Sequence, residues 1–291
     1  MSRNRSPLEL SRKQKILTHF ILIVLCIPFI MPLVWMVSTS LKSNKDIFPQ
    51  ADEAAVTFSL SSFIPEKPQW SNYKAAWQTG PFALYLRNTL LLCTLNVIGS
   101  VFSSALVAYG FARLRFPGKE FLFILLISSM ALPRHVTMIP LFTVFKSLGW
   151  YGTMLPLIVP AFFANPFYVF LLRQFFQTIP ANLAEAGTID GAGEFRIFSR
   201  IMLPLAQPAL VTCALFQFLS TWNDFFGPLL YLNDPQHYTV AYGLQQFMGT
   251  HDSEWTQLMA AATLFTLPIV LLFFRAQKIF IRGISTTGST G

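Results

Sequence analysis

At 291 residues the chain is 53% hydrophobic and only 12% charged, with 30 phenylalanines, against about 25% charged residues in an average soluble domain. That balance excludes a soluble globular protein. The formal net charge of +8 does not point to nucleic acid either, because the Lys and Arg residues punctuate the apolar runs and form no basic face.

The first 15 residues form a basic tail with Arg3, Arg5, Arg12, Lys13 and Lys15. The apolar run that follows, about 16–38, exceeds the ~7–15 residues of a secretory signal core and is long enough to span a bilayer, so it reads as a retained first span. A polar segment over 39–83 follows. In it Trp70, Tyr73 and Trp77 stand at i, i+3 and i+7, one face of a helix. Such aromatics suit a short helix on the membrane surface, or rings packed against neighbouring spans. Further spans are predicted near 88–109, 121–145, 152–172, 204–230 and 258–280, which brings the total to six. Cys26, Cys93 and Cys213 each lie inside an apolar run with no C-x-x-C spacing, so neither a disulfide framework nor a metal site is indicated.

Six spans put both termini on one side. That side receives Arg3, Arg5, Arg12, Lys13 and Lys15, then Arg113, Arg115 and Lys119, then Arg173, Arg196 and Arg200, then Arg275, Lys278 and Arg282, which is 14 of the 21 basic residues. The stretch 231–257 on the other side has no Lys or Arg. By the positive-inside tendency both termini are expected in the cytoplasm. The chain then reads as one all-α integral membrane domain over 16–282, between cytoplasmic tails at 1–15 and 283–291, with 39–83 external and 174–203 cytoplasmic.

Two spans are interrupted. The third carries Pro133-Arg134-His135 and then Pro140. Ionisable groups in lipid cost roughly 2.5–3.5 kcal/mol, so Arg134 and His135 either face a wet interior path or sit in a re-entrant bend at the interface. The fourth holds Pro156, Pro160 and Asn165-Pro166, which predicts kinked helices and adds Asn165 to the candidate path residues. In the fifth, Trp222-Asn223-Asp224 contains the only charge of that span. These three line a path or gate, or they satisfy one another and end the helix.

The segment 174–203 is too short of apolar residues to span. Pro180 suits a helix's first turn and Asp190-Gly191 marks a turn, which brackets a helix of about ten residues, roughly 15 Å long. Ala181, Ala184, Ala186 and Gly187 permit close approach of another protein, and Glu185 offers a charged anchor. Beyond the turn Phe195, Phe198 and Ile201 make an apolar face for a second short helix. The whole has the shape of a docking knob.

Glu185-Ala186-Gly187, three residues, Gly191, nine residues, then Ile201-x-Leu203-Pro204 resembles the EAA loop of membrane subunits of binding-protein-dependent ABC importers. Ile189-Asp190-Gly191-Ala192 resembles its sugar-importer form. Asn72-Tyr73, Pro133, Ile139-Pro140-Leu141, the run Phe170–Phe176, Trp222-Asn223-Asp224-Phe225, Gln277 and Arg282-Gly283-Ile284 extend the likeness over most of the chain. Gly187 departs from it, the family often having Ala. The resemblance, to maltose-type carbohydrate permeases of the ABC importer type I fold, implies six transmembrane helices and a cytoplasmic coupling helix seated on an ATPase. It implies ATPase-coupling roles for Glu185, Ala186, Gly187, Asp190, Gly191, Ala192, Leu203 and Pro204. It also implies a second homologous permease subunit, a cytoplasmic ABC ATPase dimer, an external substrate-binding protein that the 231–257 loop would face, and a bacterial or archaeal inner membrane.

No phosphate-binding loop is present, since Gly118-Lys119-Glu120 lacks the upstream Gly and the following hydroxyl. No cofactor is therefore expected on this chain, with ATP and Mg bound by the partner ATPase, and it is not expected to be an enzyme. An ion-coupled secondary carrier would account for Arg134, His135 and Asp224 as a charge relay but not for the small-residue acidic loop, and no inverted repeat is visible. An integral membrane enzyme lacks paired carboxylates or a His cluster. An ABC permease for a non-sugar solute stays open.

Overall fold

A computed structural model describes residues 11–47, 63–250 and 254–287, without the side chains at 45, 134–135, 249–250 and 278–287. Arg3, Arg5, His251 and Asp252 lie outside the described residues, as do the side chains of Arg134, His135, Lys278 and Arg282.

Every regular element among the described residues is helical. Helix α1 (Arg12–Ser40) opens on a capping box, Ser11 Oγ accepting from the Gln14 N–H while Gln14 Oε1 accepts from the Ser11 N–H. Short α2 (Asn44–Ile47) and α3 (Ser71–Thr79) precede the long α4 (Phe82–Arg113). Next come α5 (Lys119–Ser128), a 3-10 turn over Ser129–Ala131, and α6 (Arg134–Ser147). The fourth predicted span is α7 (Leu155–Ile158), a 3-10 stretch Val159–Phe163 and α8 (Pro166–Thr178). The cytoplasmic segment supplies α9 (Ala181–Ile189), α10 (Glu194–Ile197), a π-helical turn Phe198–Met202 and α11 (Leu203–Leu205). After it come α12 (Gln207–Trp222), α13 (Phe226–Tyr231), α14 (Val240–Thr250) and α15 (Trp255–Thr287).

Among the described residues four stretches are long and apolar enough to cross a membrane, namely Arg12–Ser40, Phe82–Arg113, Leu155–Thr178 and Trp255–Gln277; counting each of two bent helix pairs as a span makes up to six. The third predicted span is one such pair, bent by 102° between Lys119–Ala131 and Val136–Ser147, where Pro133 stands as the N-cap of α6. The fifth, predicted over 204–230 with a helix end at Trp222-Asn223-Asp224 as one reading, is broken at 223–225. Pro228 is the cause: it has no N–H to give the carbonyl of Asp224, so α12 ends at Trp222 and the chain restarts as α13.

The chain divides into two compact units, the first comprising residues through Thr79 with Phe247–Thr266. Here Asn72 and Tyr73 fasten α3 to the end of α1: Asn72 Nδ2 donates to the Ser40 and Lys42 carbonyls at 2.9 and 2.8 Å, and the Tyr73 hydroxyl lies 2.7 Å from Ser40 Oγ. Asn44 Oδ1 accepts from both the N–H and the hydroxyl of Thr256. The aromatic face of α3 is split. Trp77 packs near Phe265, while Trp70 remains 69% exposed, stacked on Tyr73.

The second unit, Gly80–Gln246 with the chain from Leu267, is built around α4. The middle of its buried face is small and polar, with Asn96, Gly99, Ser100, Ser104, Ala105 and Ala108, and larger side chains such as Tyr85 and Tyr109 lie toward the ends. Small side chains let neighbouring backbones approach closely, as lipid-embedded packing requires. At Gly99 an added Cβ would stand 2.8 Å from the Phe162 ring. At the far end Ala105, Ala108 and Tyr109 of α4 pack with Val169, Leu172 and Phe176 of α8 and with Ile197, Phe198, Met202 and Cys213 into one buried cluster.

Candidate functional site

The chemistry-bearing residues gather in two places of the second unit. The first is the cytoplasmic segment. Helix α9 runs Ala181–Ile189, one residue shorter than predicted, with Pro180 as its N-cap. It ends in a Schellman motif: the Ala192 N–H reaches the Gly187 carbonyl at 2.9 Å, the Gly191 N–H reaches the Thr188 carbonyl at 3.0 Å, and Gly191 sits at φ +77°. Gly191 supplies the left-handed residue that this closure needs.

The helix touches the rest of the unit along a narrow line. Gly187 is buried beside Ile197 and Ile201, and Ala184 and Ala192 are half-buried. Glu185, Ala186 and Asp190 are exposed, and around them the apolar side chains of Leu183, Ile189 and Phe195 are 42%, 85% and 67% exposed. Beyond the turn Phe198 is buried and Ile201 half-buried, whereas Phe195 of the predicted apolar face points outward. Leu203 is half-buried and Pro204 exposed, at the start of α11. The result is an exposed acidic-apolar surface on a helix held from beneath.

Three side chains join the elements around it, none of them bonded to α9 itself. The Tyr109 hydroxyl donates to Glu194 Oε2 at 2.5 Å. Arg113, in the last turn of α4, donates through Nη2 to the carbonyls of Phe176 and Ile179 that end α8, a cationic side chain satisfying orphan helix-end acceptors. Arg173 donates to the Phe111 carbonyl and lies 4.1 Å over the Phe123 ring, a cation–π contact.

The second place is a cavity of about 330 Å³ reached by Asn96 and Ser100 of α4, Asn165, Gln217 and Thr221 of α12, and Asp224. Its backbone is irregular. Ala164 adopts φ 62°, ψ 149°, a region that costs a non-glycine residue about 1–3 kcal/mol. The amides freed by this break are not orphaned: Ala164 N–H reaches Ser103 Oγ at 3.0 Å and Asn165 N–H reaches Ser104 Oγ at 2.9 Å. Asn165 Oδ1 caps α8 by accepting from the Phe167 N–H at 2.9 Å. The α12–α13 break meets the same cavity at Asp224, whose Oδ1 accepts from the Gly227 N–H at 3.2 Å. Non-helical backbone at membrane depth is tolerated where it lines a cavity. Both breaks do.

Asn165 stands about 20 Å from the far end of α8, and Asp224 about 24 Å from the start of α12, at 1.5 Å per residue. Both therefore lie at the ends of these helices remote from the α9 segment. Of the predicted trio only Asp224 lines the cavity. Trp222 is buried and stacks on Phe218 with centroids 5.3 Å apart, and Asn223 is exposed and donates to the Leu219 carbonyl, ending its own helix. Arg134 and His135 open α6; a second cavity of about 230 Å³ joins Thr137, Met138 and Leu141 of that helix to Asp224. No Lys or Arg lines either cavity among the described residues.

Sequence reasoning missed Asn96, Ser100, Gln217 and Thr221. The signal was there: each pair is polar at i and i+4 in an apolar helix, one face by periodicity. Gln217 and Thr221 are in fact bonded, Nε2 to Oγ, at 3.1 Å.

Comparison with known proteins gives these sites a context. Residues 100–286 match the family described as binding-protein-dependent transport system inner membrane component. The chain is 36% identical, over 89% of its length and 83% of the relative's, to the probable ABC transporter permease protein YurM of Bacillus subtilis (strain 168). It is 28% identical to the maltose/maltodextrin transport system permease protein MalG of Escherichia coli (strain K12), covering 94% of this chain and 95% of that one. A chain in the crystal structure of a bacterial ABC transporter involved in the import of the acidic polysaccharide alginate superposes with a TM-score of 0.77 at 22% identity, covering 94% of this chain and 100% of that chain. This last likeness is one of fold.

Proposed function

Because this chain belongs to the family of binding-protein-dependent transport system inner membrane components, we propose that it is the permease subunit through which an ATP-driven importer passes a carbohydrate delivered by an external binding protein. It is a transport subunit of the membrane, with ATP hydrolysis on a separate subunit. The carbohydrate reading draws on the maltose/maltodextrin relative, which matches nearly end to end.

The observation that carries the reading is α9. A nine-residue helix, closed by a Schellman motif and resting through Gly187 on Ile197 and Ile201, exposes Leu183 and Ile189 around Glu185, with Phe195 exposed just beyond the turn. Exposed apolar side chains on a braced element mark a protein-binding surface. In this proposal Glu185, Ala186, Gly187, Asp190, Gly191 and Ala192 form the seat of a cytoplasmic ABC ATPase, with Leu203 and Pro204 carrying its motion into α12. The ATPase works as a dimer holding ATP and Mg, and a second homologous permease subunit pairs with this one. Both termini are cytoplasmic. Loop 231–257 faces the binding protein on the other side, and the cavity at Asn165 and Asp224 belongs to the sugar's path.

Glu185→Lys reverses the anchor's charge, and Gly191→Pro forces φ to about −65° where +77° is needed. Either variant is expected to abolish co-purification of the ATPase and to reduce sugar uptake by proteoliposomes at least tenfold, with the permease still inserted. Uptake that persists on an ion gradient without ATP would instead identify a secondary carrier.

A further inference from the structure

Helix α4 is bonded at both ends to segments far away in the sequence, and every one of those bonds is made by a side chain. At one end Asn88, 2% exposed, donates through Nδ2 to the carbonyls of Gln236 and Tyr238 at 2.8 and 3.0 Å. One residue on, Thr89 Oγ accepts from the Val240 N–H at 2.9 Å while donating to the Tyr85 carbonyl. At the other end the Tyr109 hydroxyl holds Glu194, the first residue of α10, and Arg113 holds the end of α8. The Tyr109 ring also meets Phe176 edge-on and lies 5.2 Å from Phe198, where the π-helical turn begins. Between Asn88 and Tyr109 the helix runs about 32 Å at 1.5 Å per residue.

Buried polar groups in a lipid-embedded helix are costly unless bonded, and an apolar side chain would fill either position without that cost. What Asn88 and Tyr109 add is registry between α4 and two named segments. Those segments are loop 231–240 and the helix that follows the docking knob. A π-turn adjoining the second of them supplies a place where register can shift, since such bulges recur at functional sites.

We propose that α4 is the strut that relays between the external loop 231–240 and the α9–α10 coupling segment, with Asn88 and Thr89 as positioning residues at one end and Tyr109 with Glu194 at the other. The proposal rests on the importer reading above. In it, arrival of the loaded binding protein shifts loop 231–240, Asn88 and Thr89 transmit the shift to α4, and Tyr109 moves Glu194 with the docking helix. Coupling of this kind is reciprocal: engagement of the ATPase tightens the external loop by the same factor.

The test uses the complete transporter in proteoliposomes, with its partner subunit, ATPase and sugar-loaded binding protein. Tyr109→Phe keeps the ring packing and removes only the hydroxyl. It is expected to leave assembly and basal ATP hydrolysis unchanged while stimulation by the binding protein falls about tenfold, within the range usual for coupling between sites. Glu194→Gln keeps an acceptor and should behave nearly as wild type, whereas Glu194→Ala should behave as Tyr109→Phe. Thr89→Val, at the opposite end, should lose stimulation to a similar degree, and combining it with Tyr109→Phe should cost little more than either alone. Wild-type stimulation in Tyr109→Phe, or losses from the two ends that multiply, would overturn the strut. Failure of the wild-type complex to hold an ATPase or respond to any sugar-binding protein would overturn the importer reading instead.

Discussion

Gly187 shows how one residue balances two opposed effects. As glycine in a helix interior it gives up about 1 kcal/mol of propensity relative to alanine. An added methyl, however, would stand 3.0 Å from Ile201 Cδ1 and 3.3 Å from Ile197 Cγ1. Ile201 presents a terminal methyl that can turn, but Ile197 is 2% exposed and fixed. Gly187→Ala alone is therefore expected to be close to neutral, and in an Ile201→Val background, where only the Ile197 contact remains, it should stabilise by less than about 1 kcal/mol, part of the propensity difference. Melting temperatures of the detergent-purified variants, compared with Ile201→Val alone, check this. Asp224 makes a different case: a lone carboxylate over cavities without Lys or Arg among the described residues accepts hydroxyl protons and repels anions. Asp224→Asn should lower uptake of a neutral sugar about tenfold, since a bond to a charged group contributes about 1.5–3 kcal/mol. It should also relieve discrimination against uronate-containing sugars, read in a competition uptake assay.

At the scale of elements, breaks in the spans carry the functional geometry. The strained Ala164 is the clearest, at φ 62° and ψ 149° with its amide on Ser103. Ala164→Gly removes the Cβ conflict and is expected to stabilise the protein by about 1 kcal/mol, with Asn165 still capping α8; a lowered melting temperature would show that the residue is not strained. This break was legible in advance because Asn165-Pro166 and Pro160 are local signals. So were the bounds of α9, set by Pro180 and by Asp190-Gly191. For the break at 223–225 the sequence offers a helix end at Trp222-Asn223-Asp224 as one of two readings, and Pro228, which announces it, is masked as a single proline in an apolar run. Helix α14 was likewise passed over within an external loop, although Val240, Leu244 and Phe247 keep helical spacing. The cavity brings Asn96 and Ser100 to Asp224, and the Tyr109–Glu194 bond joins residues 85 positions apart. No local pattern encodes which partner a buried tyrosine finds.

For the whole molecule, orientation follows from charge more than from packing. Helix α1 has no buried residue in its most apolar stretch, so the chain's own core does not orient it. The proposed orientation, with both termini cytoplasmic, rests instead on the basic tail before α1 and on the Arg and Lys residues grouped between later spans, because short cationic segments resist translocation. The three cysteines permit a clean test: Cys93 and Cys213 are buried, and only Cys26 is exposed. In a Cys26→Ser background, Gln236→Cys and Gln177→Cys place single reporters on exposed positions beside Tyr238 and at the end of α8. Neither substitution changes a charge, so the orienting pattern is untouched. A membrane-impermeant maleimide is expected to label Gln236→Cys in intact cells and Gln177→Cys only after permeabilisation. Since α9 begins four residues after Gln177, the second result would put α9 on the cytoplasmic side, as the proposed ATPase contact requires. Labelling of Gln177→Cys from outside would turn the molecule over, and with it the roles of α9 and the 231–257 loop.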